Sequence, residues 1–212
     1  SGSDIFENFA SFSWGSMRFR SRGYESSSDQ TYLNGFPMND LETGFQSYSD
    51  YGGLNRVVRY RESYDGLTPG PFSFGGIGGT SNIQATASQI REQNQISYGY
   101  ANRSYNNRLM YTYATGMQNN GWAFAFSGSH RWALDGYVPG TWYDAYAYFG
   151  SVERKINDKH MVGLTVFGSP FRRAMQAAST QEAYDLAGTV YYNPNWGMLN
   201  GEERNARVRK VH

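Results

Sequence analysis

The sequence predicts a mainly β fold, and three observations predict it. Glycine (25), tyrosine (18) and phenylalanine (13) are heavily used while charged residues make up only 17%, against about a quarter in an average soluble domain. From about residue 93 onward, strand-length segments of roughly ten residues alternate large and small side chains with the period of two that a pleated strand imposes. Before residue 93, turn pairs recur too closely for long elements: Asn34-Gly35, Asn39-Asp40, Gly52-Gly53, Asp65-Gly66, Pro69-Gly70, Gly75-Gly76 and Gly78-Gly79.

A chain of 212 residues has room for one domain or two small ones. Its charge divides near residue 92, with net −3 over 1–92 and net +4 over 93–212. The first part reads as a loop-rich α+β unit. Met17 to Arg22 alternates Met/Phe with Arg/Ser as a strand does, and Thr31-Tyr32-Leu33 runs into an Asn-Gly hairpin turn. Leu54 to Tyr60 is a further short strand, while Ile5 to Phe12 fits a helical turn or a strand equally well. The second part is simpler: strands are expected at Gln93–Ala101, Arg108–Thr115, Trp122–Arg131, Trp142–Val152 and His160–Ser169. Trp122, Phe124 and Phe126 share one face, opposite Ala123, Ala125, Ser127 and Ser129; Leu109, Tyr111 and Tyr113 oppose Met110, Thr112 and Ala114; Val162, Leu164 and Val166 oppose Gly163 and Thr165; and Tyr146 and Tyr148 oppose Ala145, Ala147 and Phe149. Short polar turns at 117–121 and 155–159 alternate with longer connections at 132–141 and after Ser169. Such wiring suits an antiparallel β-barrel in a membrane, and a soluble β-sandwich can give a similar trace.

Composition excludes several functions. Without cysteine there is no disulfide framework, thiolate metal site or cysteine nucleophile. A net charge of +1 lacks the footprint of a nucleic-acid binder. No run approaches the ~18 apolar residues of a spanning helix, and Ser1 to Ala10 has neither the basic start nor the apolar core of a signal peptide. A mean hydropathy of −0.66 does not argue against a membrane, because a barrel averages an apolar outer face with a wet inner one.

No catalytic constellation is visible. Ser73–Ile83 is glycine-rich but lacks the lysine of a Walker A loop and the spacing of GxGxxG, so it reads as a reversal where backbone passes close to backbone. His130, His160 and His212 stand in no motif, and Asp40/Glu42 reads as a turn cap. No enzymatic activity and no cofactor is expected. Arg18, Arg20 and Arg22 share one strand face, either solvated or paired with Asp29, Asp40, Glu42 or Asp50 inside a wet cavity. The basic run Arg204, Arg207, Arg209, Lys210 reads as a solvated strand face, or as a lipopolysaccharide contact. Tyr48, Tyr51, Trp132, Tyr137, Trp142 and Tyr143 lie in loops or at strand ends; interfacial girdles and stacking on a planar ligand are both open to them, with the girdle favoured for Trp122 and Trp142.

Arg22-Gly23-Tyr24, followed by Tyr32 to Asp40 (YLNGFPMND), resembles the "RGY … DG-P" core of the plug domain in TonB-dependent outer-membrane transporters, with Asn34 where those plugs commonly carry Asp. Arg56 to Arg59, the glycines of Phe74–Gly79, and Asn82-Ile83 resemble the segment that closes the plug, more loosely at Arg61–Gly66. The phrasing NDLETG, SDYGGLN and FSFGGIGG looks like the Bacteroidetes branch of that family. The resemblance implies the C-terminal part of a plug over 1–92 and the first, roughly five, strands of an incomplete transmembrane antiparallel barrel over 93–212; the family encloses its plug in about 22 strands, so the chain is expected to be part of a longer protein. It implies a receptor in the Gram-negative outer membrane that imports an unidentified substrate by ligand binding and energy-coupled plug rearrangement. Its partners would be a TonB-type periplasmic protein, outer-membrane lipid and, in some systems, a surface lipoprotein, with turns 117–121 and 155–159 in the periplasm and loops 102–107, 132–141 and 170–203 outside. Tyr48, Tyr51, Trp132 and Tyr137 become candidate ligand contacts, and Arg18, Arg20 and Arg22 candidates for polar pairing between plug and barrel. The alternative from another class is a secreted or surface β-sandwich that binds carbohydrate through exposed aromatics.

Overall fold

A computed structural model describes residues 24–211. The expectations for Ile5–Phe12 and for the Met17–Arg22 strand, with Arg18, Arg20 and Arg22, and for His212 lie outside the described residues. The chain is mainly β, as the alternation requires, and its strands form two main sheets.

In the smaller sheet, β1 (Gln30–Leu33) turns into β2 (Phe36–Pro37) through Asn34 (φ 51°) and Gly35 (φ 81°), the pair of left-handed residues that a tight hairpin needs. The Asn34 side chain does more than turn: its Oδ1 accepts from the Ala85 N–H at 2.7 Å. β3 (Arg61–Tyr64) lies antiparallel to β4 (Thr80–Ile83), and β4 runs parallel to β1, giving the order β2-β1-β4-β3. The glycine-rich run is a close backbone crossing, since a Cβ on Gly75 would sit 2.6 Å from the Leu67 backbone.

Leu54 to Tyr60 is not a strand. The N–H groups of Val57 and Val58 both return to the Leu54 carbonyl, and Leu54 and Val57 point into the core. Their spacing of three suits a helix-like turn, and burial there outweighs the strand preference of valine; the strand begins later, at Arg61. The described part of 1–92 holds 3₁₀ turns at Ser26–Ser28 and Tyr48–Tyr51 rather than an α-helix.

The larger sheet is an antiparallel meander: β5 (Gln93–Tyr100), β6 (Asn107–Ala114), β7 (Trp122–Ala133), β8 (Tyr143–Lys155), β9 (Met161–Gly168) and β10 (Phe171–Ala174). β9 and β10 pair with β8 in one unbroken register (Tyr148 with Gly168, Ala145 with Phe171), so they are one strand nicked at Pro170, whose carbonyl accepts from the Tyr146 N–H but which has no N–H to return. Beyond β10 come the seven-residue helix α1 (Gln181–Ala187), the hairpin β11 (Trp196–Leu199) and β12 (Glu202–Asn205), and β13 (Val208–Val211), which adds beside β10. With β9 and β10 taken as one nicked strand, the sheet has six strands where about five were expected, β13 being the addition. β10 and β13 escaped the periodicity because they are short and carry Arg172 and Lys210 at outward positions, where the other strands carry large apolar residues. Of the connections, 134–142 and 175–207 are long and 156–160 is short, while 101–106 and 115–121 are alike in length.

The two faces of this sheet differ as the alternation predicts. Ala123, Ala125, Ala145, Ala147, Phe149, Thr112 and Ser127 are buried, whereas Ile96, Tyr98, Leu109, Tyr111, Phe126, Tyr148, Leu164 and Val166 are exposed. The numbers are decisive: Ala125 is 0% exposed, Phe126 beside it 50% and Leu164 64%. The core lies between the inward face and the smaller-sheet segment, where Leu33, Leu54, Val57, Ile83 and Ile90 pack on Ala114, Ala123, Ala125, Ala147 and Phe149.

Candidate functional site

The inward face of the large sheet is the candidate site, because there the 24–92 segment docks and, at one end, the long connections converge. Small residues let backbone approach, and polar contacts fix the registration. The Gly52 carbonyl accepts from Arg131 Nη2 at 3.0 Å and from the Ser169 hydroxyl. Gly53, at φ 92°, lies so close to β7 and β8 that a Cβ would meet Ser129 Oγ at 2.6 Å and the Ala147 Cβ at 3.2 Å. Farther along, the Ala87 N–H donates to Ser151 Oγ at 3.0 Å and the Ser88 N–H to Glu153 Oε2 at 2.6 Å. Glu153 is a buried carboxylate held by a backbone donor, the way a buried charge is made tolerable. Gly163, opposite it on β9, leaves the room its side chain fills.

At the end of the long connections, loops 134–142 and 175–207 are tied together. Asn193 Nδ2 donates to the Pro139 carbonyl, and Asn205 Nδ2 to the carbonyls of Gly140 and Met175. A cavity of about 280 Å³ opens between them, lined among others by Arg103, Tyr137, Trp142, Tyr143, Arg173 and Gln176.

The four aromatic candidates occupy three separate places. Tyr137 is at the cavity, its hydroxyl accepting from Gln176 Nε2 at 2.9 Å and its ring edge-on to Tyr191. Trp132 is on the outward face, where His130 stacks on both Trp132 (4.6 Å) and Tyr146 (4.2 Å). Asp144 there takes His130 Nε2 at 2.9 Å on one oxygen and Arg172 at 3.0 Å on the other. Tyr48 and Tyr51 meet edge to face at 6.1 Å; Tyr48 is 59% exposed, but Tyr51 is only 7% exposed and belongs to the core. Tyr48 is thus an exposed ring, and Tyr51 packs beneath it in the core.

Burial pushes the Tyr51 phenol up to about 12, with the nearby positive charge of Arg61 offsetting part of that effect. Its hydroxyl has no partner within hydrogen-bond geometry. The folded chain therefore holds this proton more tightly than the unfolded chain, so stability is level below about pH 10 and falls as pH rises from about 10 towards 12. Tyr51→Phe should leave stability at pH 7 unchanged or raise it by up to about 1 kcal/mol, since a stranded hydroxyl is removed, and should flatten that alkaline decline. Urea denaturation at pH 7 and pH 11 reads both effects; a loss above about 1 kcal/mol at pH 7 would mean the hydroxyl is bonded.

Asp40 is a turn cap, accepting from the N–H groups of Glu42 and Thr43 and from the Thr43 hydroxyl. The Thr43 bonds hold its carboxyl below the usual carboxylate range. Among the described residues no group of three or more His, Asp or Glu could hold a metal ion. Sequence reasoning missed Arg131, Ser151, Glu153 and Ser169. The available signal was their placement: each is polar and falls on the small-residue side of an alternating strand.

The fold and site define a mainly β chain with one strand meander, an apolar aromatic outer face and a docked inner segment. No protein-family model matches it, and no curated protein matches it in sequence. Among solved structures, the crystal structure of the siderophore receptor PiuA from Acinetobacter baumannii is similar over 74% of this chain, at 14% identity and a TM-score of 0.49. The chain spans 22% of that receptor's length.

Proposed function

We propose that this chain is part of an outer-membrane receptor that imports its ligand, with 93–212 contributing barrel strands and 1–92 the C-terminal part of a plug, moved by a TonB-type periplasmic partner. The observation that carries the reading is the outward face. Aligned rows such as Tyr113–Phe126–Gly150–Val166 and Phe124–Val152–Leu164 make it continuously apolar, and no second sheet covers it among the described residues. It is bounded at one end by Trp122, with Arg154 over its ring at 4.9 Å, and at the other by Trp132, His130 and the Asp144–Arg172 pair. Ten residues separate the two tryptophans on β7. At ~3.4 Å per residue and a tilt of ~40° they stand ~26 Å apart along the membrane normal, matching the ~25 Å apolar band of outer-membrane barrels. A β-sandwich would bury these rings between two sheets, so their exposure favours the barrel. The docking contacts that such motion would break are the hydrogen bonds of Gly52, Ala87 and Ser88 to side chains of the sheet and the packing of Leu54, Val57, Ile83 and Ile90 on its small residues.

The cysteine-free sequence makes a direct test simple. In the intact gene product reconstituted into vesicles, a fluorophore on F126C should be quenched by nitroxide lipids, and one on S127C should not. Equal quenching at both sites, or recovery of the protein in the soluble fraction, would overturn the reading.

A further inference from the structure

The inward face carries a group of arginines without acids, one of which, Arg131, also donates to the docked Gly52 carbonyl. Arg108 on β6 lies directly opposite Arg131 on β7, and Arg173 on β10 directly opposite Arg209 on β13. Like charges facing each other across a ladder destabilise a sheet unless something neutralises them. Nothing among the described residues does: the ion pairs there join Asp144 to His130 and Arg172, Lys155 to Asp158, and Arg204 to Glu202. Arg172 is the internal comparison. One residue from Arg173 but on the outward face, it has its carboxylate at 3.0 Å.

Three of the guanidinium groups lie against aromatic rings, that of the exposed Arg209 included. Arg131 lies 5.7 Å from the Tyr143 ring centroid and 5.9 Å from that of Tyr105, and Arg173 and Arg209 each lie 5.7 Å from that of Phe171. Packing against rings leaves the N–H edges of a guanidinium available to an acceptor. The Nε atoms of Arg131 and Arg173 are buried without a hydrogen-bond partner, which a simply solvated face does not produce. Arg103 and Arg173 border the 280 Å³ cavity, together with the Tyr137 and Tyr143 rings.

We propose that this cluster is an anion-binding site that takes a multiply charged carboxylate or phosphate compound through Arg103, Arg173 and Arg209, in the positive potential of Arg108 and Arg131. The planar forks of arginine match both kinds of oxyanion two bonds at a time, and the cavity volume suits a small ligand. The proposal rests on the receptor reading only in that the ligand arrives from the side of the long loops.

Calorimetric titration of the intact gene product in detergent, with tripolyphosphate and separately with citrate, tests it and tells the two chemistries apart. Saturable binding of at least one is expected, at least tenfold weaker in R173Q and R209Q and unchanged in R172Q. Without anion, both lumenal variants should melt at or above the parent temperature, because a like-charge contact is relieved. The proposal is overturned if neither anion binds saturably, if R172Q weakens binding as much as R173Q, or if the lumenal variants melt several degrees lower. A soluble protein that binds the anion would remove the receptor reading and leave the site standing; a membrane-inserted protein that does not bind would remove the site alone.

Discussion

Val166→Arg is expected to cost about 2–4 kcal/mol of the stability of the membrane-assembled protein, the range for a cation at the midplane of a barrel's lipid face. Val166 shares a row with Phe126 and Tyr113, close to halfway between the Trp122 and Trp132 ends of β7. On a sheet that merely faced water the same change would stay within about ±0.5 kcal/mol. Urea unfolding of the intact protein in vesicles distinguishes the two, and a loss under 0.5 kcal/mol would place this face in water.

Gly53→Val should have an effect of similar size for an unrelated reason. A side chain at φ 92° is strained by about 1–2 kcal/mol, and the added atoms would press on Ser129 Oγ and the Ala147 methyl, where overpacking costs about 1–3 kcal/mol more. The loss of about 2–5 kcal/mol should appear as faster proteolysis of the 24–92 segment while the large sheet persists. Adding Ser129→Gly should restore part of it, since the nearest clashing atom is then gone, whereas the φ strain stays. Full additivity of the two changes would show that Gly53 does not lean on Ser129.

The large sheet was legible because its strands obey a single rule. Ala125 is buried and Phe126 is not, and that alternation is written in the sequence one residue at a time. The Asn34-Gly35 hairpin was equally plain, since few residue pairs supply two left-handed conformations. Leu54–Tyr60 misled because two valines favour a strand locally, while the burial of Leu54 and Val57 is settled by a sheet distant in sequence. β10 and β13 were hidden for the opposite reason: Arg172 and Lys210 interrupt the apolar pattern at outward positions, while Arg173 and Arg209 give the inward face its charge. The docking site was the least legible part. Arg131, Ser169 and Gly52 are far apart along the chain, and nothing local to any of them announces the other two.

The hydroxyl pairs of the inward face, Thr112 with Ser127 and Ser151 with Thr165, have a consequence for any movement across it. A wall built of leucine would grip the docked segment through dry contact and would resist its departure in proportion to the area uncovered. A wall of alanine, serine and threonine exchanges each broken hydrogen bond for one to solvent, so the dry cost of departure falls on the segment's own Leu54, Val57, Ile83 and Ile90, whose buried surface must be uncovered. Water entering behind a departing segment would wet the sheet's side of this surface, so the sheet need not reorganise, while re-burial of those four side chains would draw the segment back into place.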